Sequence, residues 1–173
     1  MTTVLLYGSN GDKISNEICN FLATFGILRI TEKKIFSNTA TPKFVVIESG
    51  NFQNVHIENG IIVIVGKIDN GAELKLNGDF KGIVFSLDKE ALQILKRAEV
   101  PTITCGMAEE DTLSLSSIKE DSAIICVNRK IKTLSGEFIE PQEHKINVKI
   151  KTTDYAVLAA SAILMCSNEF QEH

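Results

Sequence analysis

The stretch that decides the fold is "LLYGSNGDKIS", residues 5–15. An apolar run from Val4 to Tyr7 meets a glycine-rich turn, and Lys13 and Ser15 follow it. That order reads as a buried strand, a tight turn and the start of a helix. It is nearly what a phosphate-binding loop requires, because backbone N–H groups at a helix N-terminus attract anions and a lysine adds a point charge. Asp12, however, stands directly after the second glycine, where such loops place the lysine.

Beyond the turn, Ile14, Ile18, Phe21, Leu22 and Phe25 recur at helical spacing, which predicts a helix over about 13–24 that Gly26 stops. Short strands are expected at 27–30 and 33–36. Continuous apolar runs at 44–47, 61–65 and 82–86 suit strands covered on both faces, as in a parallel sheet. A second helix is expected over 88–97 with Asp88 as its N-cap, and another strand at 102–105 after Pro101. The pattern then changes. Short strands at 123–127, 130–134, 137–139 and 146–150, with a Ser135-Gly136 turn, read as an antiparallel block. A final helix is expected over about 154–167, carrying Val157, Leu158, Ile163 and Leu164. Residues 66–80 are the least structured on pattern. The expected fold class is α/β: a mainly parallel sheet flanked by helices, with a small antiparallel portion in the C-terminal half. One domain over residues 1–173 accommodates this order.

The 173 residues suffice for a core, with 44% apolar and 23% charged residues. A net charge of −4 argues against a dedicated nucleic-acid binder. No apolar run reaches the roughly 18 residues needed to span a bilayer, and Met1-Thr2-Thr3 offers no basic leader. The four cysteines, Cys19, Cys105, Cys126 and Cys166, form no CxxC pair and suit reduced thiols in a cytoplasm. Cys19, Cys126 and Cys166 read as small buried hydrophobes, and Cys105 sits at a strand end beside Gly106. His56, His144 and His173 are scattered, His144 falling near a turn, and none has a Cys or Ser partner at an informative distance. Glu109-Glu110-Asp111 reads as a solvated acidic loop.

Several stretches in the same order resemble the central, ATP-binding domain of the Mur ligase family. "YGSNGDKIS" is similar to that family's TGTNGKTT loop, "FVVIESGNFQ" (44–53) to its strand ending in glutamate, and "IIVIVGKIDN" (61–70) to the strand leading to TNxxxDH. "IVFSLDKEALQILKRAEVPTITCG" (83–106) is similar to its NxDD segment, and "TTDYAVLAASAIL" (152–164) to its HNVYNALAAIA helix. The resemblance implies a P-loop-type fold. It also implies a phosphate loop of Gly8, Ser9, Asn10, Gly11, Lys13 and Ser15, with Ser15 and Glu48 as magnesium ligands and ATP and Mg as cofactors. Departures run against this. Asp12 is inserted, Asn70 replaces the histidine of DH, Thr152-Thr153 replaces HN, the segment with the family's modified lysine is shortened away, and a 173-residue chain has room for neither flanking ligase domain.

Two readings of the loop stand side by side: a plain turn in which Asp12 caps the first helix, or an altered nucleotide cradle. Glu48, and with it Lys67 and Asp69, is either a ligand at a strand's C-terminal end or an exposed strand-end residue. No catalytic residue is expected, since neither an acyl-phosphate site nor an amine site is recognisable. The functional expectation is therefore a truncated, motif-degenerate Mur ligase-like protein. It would be non-catalytic, bind a partner protein or a small ligand, and contain no certain cofactor. The alternative is an ATP-binding component of a ligase-type system that works with another subunit. The oligomeric state stays open.

Overall fold

The computed structural model describes residues 1–69, 73–119, 121–148 and 152–170. Its centre is one ten-stranded sheet built from β1 (Thr2–Tyr7), β2 (Ile27–Ile30), β3 (Ile35–Ser37), β4 (Phe44–Ser49), β5 (Asn54–Ile64), β6 (Lys75–Phe85), β7 (Thr102–Gly106), β8 (Leu113–Ile118), β9 (Ser122–Val127) and β12 (Gln142–Asn147). Between the last two come the short strands β10 (Ile131–Lys132) and β11 (Phe138–Ile139), which form a separate two-stranded sheet. The large sheet runs β12-β9-β8-β7-β6-β5-β1-β4-β2-β3. Pairing is parallel from β2 through β8 and antiparallel for β2–β3, β8–β9 and β9–β12. The mainly parallel sheet and the antiparallel C-terminal part are thus one continuous surface.

Alternation along each strand divides the core. Val4 and Leu6 of β1 join Phe44, Val46, Ile61, Val63 and Ile83 on one face, under α1 (Asp12–Leu22) and α3 (Asp154–Cys166). Leu5 and Tyr7 join Ile62, Ile64 and Val84 on the other, under α2 (Lys89–Arg97). Every residue of α3 from Tyr155 to Cys166 is buried, as an all-round apolar helix must be. No helix among the described residues is long and apolar enough to cross a membrane.

Several expectations need correction. The first helix begins at Asp12 and gives way after Leu22 to a single 3₁₀ turn, Ala23–Phe25. Its N-cap is Gly11, without any side-chain cap, so Asp12 is the first helical residue and does not cap the helix. Strand β8 is additional: Leu113-Ser114-Leu115-Ser116 alternates with period two but carries serines where apolar residues usually mark a strand. Segment 66–80 is structured from Lys75 onward, in β6. Residues 130–134 keep only the two strand residues of β10, and His144 lies within β12, buried against Phe170. Asp111 is buried at 5% exposure, and its carboxylate accepts the Ala108 N–H. It therefore holds its own turn rather than joining a solvated acidic loop. Asn70, His173 and the end of the expected 146–150 strand lie outside the described residues.

The face under α2 is completed by the sheet's own strands. A straight eleven-residue strand would span about 35 Å. Yet Phe52, just before β5, packs on Tyr7 with ring centroids 5.6 Å apart. Tyr7 lies opposite Ile64, the last residue of β5. The β5–β6 ribbon must therefore double back. It does so where the register shifts between His56 and Asn59 and where Gly78, at φ +139°, passes so close to the Ile57 carbonyl that a Cβ would lie 1.8 Å from its oxygen. Val55, Ile57 and Leu76 are thereby laid on the second core.

Candidate functional site

Open α/β sheets bind ligands at the C-terminal ends of strands, where neighbouring connections leave in opposite directions. Here that point lies between β1 and β5. The chain leaving β1 passes through Gly8–Gly11 into α1 and on to β2, whereas the chain leaving β5 goes the other way to β6. The two connections are joined to each other. Ser9 N–H donates to the Lys67 carbonyl (2.8 Å) and Lys67 N–H to the Ser9 carbonyl (2.9 Å), while Ser9 Oγ adds a third bond to Lys67 O (3.1 Å). Gly8 N–H is spent on Ser49 O (3.2 Å). The glycines are required by this closeness: a Cβ on Gly66 would lie 2.1 Å from Ser9 O, and one on Gly11 would lie 2.5 Å from Val65 O.

This strap divides the crevice in two, with Ser9 and Asn10 lining both halves. On the β5–β6 side is a cleft of about 570 Å³ walled by Ile14, Ile64, Ile68, Phe85 and Tyr155, with Lys67, Asp88 and Glu90 also in its lining. On the β4–β2 side is a cleft of about 450 Å³, more polar, lined by Gly8, Gly11, Asp12, Ser15, Arg29, Lys33, Glu48 and Ser49 among others.

The loop residues predicted as a phosphate cradle are thus together in space but differently engaged. Asn10 takes φ +61° to turn the chain. Lys13 is directed outward, with its side chain 74% exposed and its ammonium 4.0 Å from Glu17, one helical turn on. Ser15 is buried, and its N–H closes the first helical bond to Gly11 O (2.9 Å). Glu48 comes to the same cleft from β4, but it is held by Arg29 of β2. Nε bonds Oε1, and Nη2 bonds Oε2 at 3.1 Å, with both side chains under one-fifth exposed. The hydrogen bonding that the guanidinium donates to Glu48 is the main influence raising its pKa above the ordinary value. Cys19 Sγ lies 4.0 Å from the same carboxylate. Burial, more than that charge, pushes its thiol up to about 12, so it stays neutral.

A magnesium–triphosphate calls for free loop N–H groups, an inward lysine and an uncommitted carboxylate. As arranged, these residues do not fit it: Gly8 and Ser9 donate to the protein itself, Lys13 faces solvent, and Glu48 already has its cation.

Three further contacts shape this end of the molecule. Glu17 Oε2 accepts from both N–H (2.9 Å) and Oγ1 (2.6 Å) of Thr153, tying α1 to the start of α3. Tyr155 donates its hydroxyl to Ile64 O (2.7 Å), which anchors α3 to the end of β5. Asp88 caps α2 through the Ala91 N–H (3.0 Å), as expected. Lys67 and Asp69 are exposed strand-end residues. Sequence reasoning missed Arg29 and Glu17. Each is an ordinary charged residue until β2 lies beside β4 and α1 beside α3.

No family model matches the sequence, and no curated protein matches it. Solved structures do align with it along nearly its full length. The MurF ligase from Thermotoga maritima in complex with ADP is 12% identical with a TM-score of 0.52, over 96% of this chain and 45% of the ligase. A UDP-N-acetylmuramoyl-L-alanyl-D-glutamate–2,6-diaminopimelate ligase is 10% identical with a TM-score of 0.52, over 98% of this chain and 43% of the other. The chain spans less than half the length of either. At such identity the likeness is one of fold, and the fold is Mur ligase-like.

Proposed function

We propose that this chain acts by binding rather than by catalysis, as a Mur ligase-like α/β domain whose phosphate-loop crevice is closed by its own backbone. The observation that carries this reading is the reciprocal pair of hydrogen bonds between Ser9 and Lys67. A phosphate that drew on the Ser9 and Lys67 amides would have to break them. Two backbone bonds at about 0.5–1.5 kcal/mol each lower an apparent affinity by roughly 5- to 150-fold. Asp12 adds to this, because a carboxylate about 4 Å from a phosphate charge costs on the order of 1–4 kcal/mol.

The cleft beside the strap is of a different kind. Its size lies within the roughly 300–1,000 Å³ usual for small-molecule sites, and its walls are mainly apolar. A compact ligand with an apolar body suits it, and the same C-terminal end of the sheet is where a partner protein would dock. The reading treats residues 1–173 as one domain, working in a reducing cytoplasm without nucleic acid.

A second reading is favoured by the ADP bound to the Thermotoga enzyme of the same fold: a nucleotide-binding component that operates with another subunit. Thermal unfolding with and without Mg-ATP separates the two. A ligand at about 100 times its Kd adds about 2.7 kcal/mol, or roughly 5–10 °C for a domain of this size. The proposal expects no such shift. A saturable shift that Lys13→Ala removes supports the second reading instead.

A further inference from the structure

The geometry points to Arg29 as the resident cation of the cleft between α1 and β2, standing where a divalent metal would otherwise meet Glu48. This end of the molecule is therefore assembled without metal. Three observations carry it. First, the position is built by the sheet. Arg29 pairs in register with Val46, and Glu48, two residues further along β4, points to the same face, under α1. Second, the contact is two-pronged: Nε and Nη2 take one carboxylate oxygen each, in the planar fork that matches a carboxylate. Both side chains are largely withdrawn from water, at 17% and 16% exposure, so bulk ions do not stand in for either partner. Third, the other oxygen donors gather around the same charge. Asp12 lines this cleft with Ser9, Ser15 and Ser49, and its charge acts on the guanidinium.

Two carboxylates and several hydroxyls are the oxygen-rich surroundings a hard divalent cation takes. A fixed guanidinium among them repels such an ion and occupies the carboxylate it would use. The inference concerns the cation alone and does not depend on whether a nucleotide binds, so metal without nucleotide tests it separately from the proposed function.

The probe is Mn²⁺, followed by loss of the free-ion electron paramagnetic resonance signal and by thermal unfolding of the full chain. Wild type and Glu48→Gln are expected to respond alike. Arg29→Met is expected to unfold at lower temperature, to regain stability on adding Mn²⁺, and to bind it about tenfold or more tightly than wild type. Adding Glu48→Gln to Arg29→Met is expected to abolish that gain. Arg29→Gln, which keeps a donor for Glu48, serves where Arg29→Met does not fold, and the comparison of wild type with Glu48→Gln decides if neither does. Mn²⁺ binding by wild type that Glu48→Gln removes overturns the inference. So does a folded Arg29 variant that neither binds Mn²⁺ nor is stabilised by it.

Discussion

At Gly66 a single added methyl group would lie 2.1 Å from the Ser9 carbonyl oxygen, with Gly11 N at 3.0 Å. Both neighbours are backbone and cannot swing aside. Gly66→Ala is therefore expected to force the strap apart and to lower stability by about 1–3 kcal/mol, the usual range for overpacking, as read from the urea midpoint at unchanged m-value. The thiols give a second prediction at this scale. Burial pushes Cys19 and Cys166 up to about 12 and raises Cys105 further still. In the unfolded chain thiols ionise near about 8.5. Between those values the folded state binds more protons than the unfolded one, so stability is complete below about pH 8.5 and falls as pH rises. The slope is up to about 1.4 kcal/mol per unit for each such thiol. Urea midpoints at pH 8 and above should show this fall. In the native chain at pH 8, Cys126, which is not fully buried, is expected to react with a thiol reagent well before the other three.

At the scale of elements, one acid ties α1 to the start of α3. Glu17 supplies the acceptor for both the N–H and the hydroxyl of Thr153, the N-cap residue of α3, which makes no side-chain cap of its own. Glu17→Ala is expected to cost about 1–2 kcal/mol, as cap removals do. The effect should be local, with hydrogen exchange quickening in the first turn of α3 before it does in α2. Asp88→Ala removes the cap of α2 and should show the reverse order at a cost of about 1 kcal/mol. Residues of both kinds could be recognised only unequally in the sequence. Asp88 precedes an apolar-periodic segment and acts three residues away, so local pattern suffices. Glu17 and Thr153 are 136 positions apart, and no spacing rule links them. The doubled-back β5–β6 ribbon was hidden for a related reason. The first part of each strand is polar and exposed on alternate residues, and only a finished second core gives Val55, Ile57 and Leu76 something to cover.

For the whole molecule, the legible part was what local chemistry dictates. The apolar runs of β5 and β6 became strand segments buried on both faces, Gly26 ended the 3₁₀ turn that follows the first helix, and the glycine turn fell between β1 and α1. The collinear likeness to a ligase domain likewise corresponds to a real likeness of fold. What the sequence could not reveal was how the crevice is used, because its state depends on strands that are neighbours only in the sheet. Ser9 and Lys67 are 58 residues apart, and Arg29 and Glu48 are 19 apart. Both pairs form because β1 lies between β4 and β5 and because β2 lies beside β4. The central claim is that the protein's own backbone closes this crevice. Amide hydrogen exchange of Ser9 and Lys67 tests it most directly, measured with and without Mg-ATP. The account predicts that both amides are protected in the free protein and stay so when nucleotide is added. Fast exchange at both in the free protein, slowed by Mg-ATP, would contradict it.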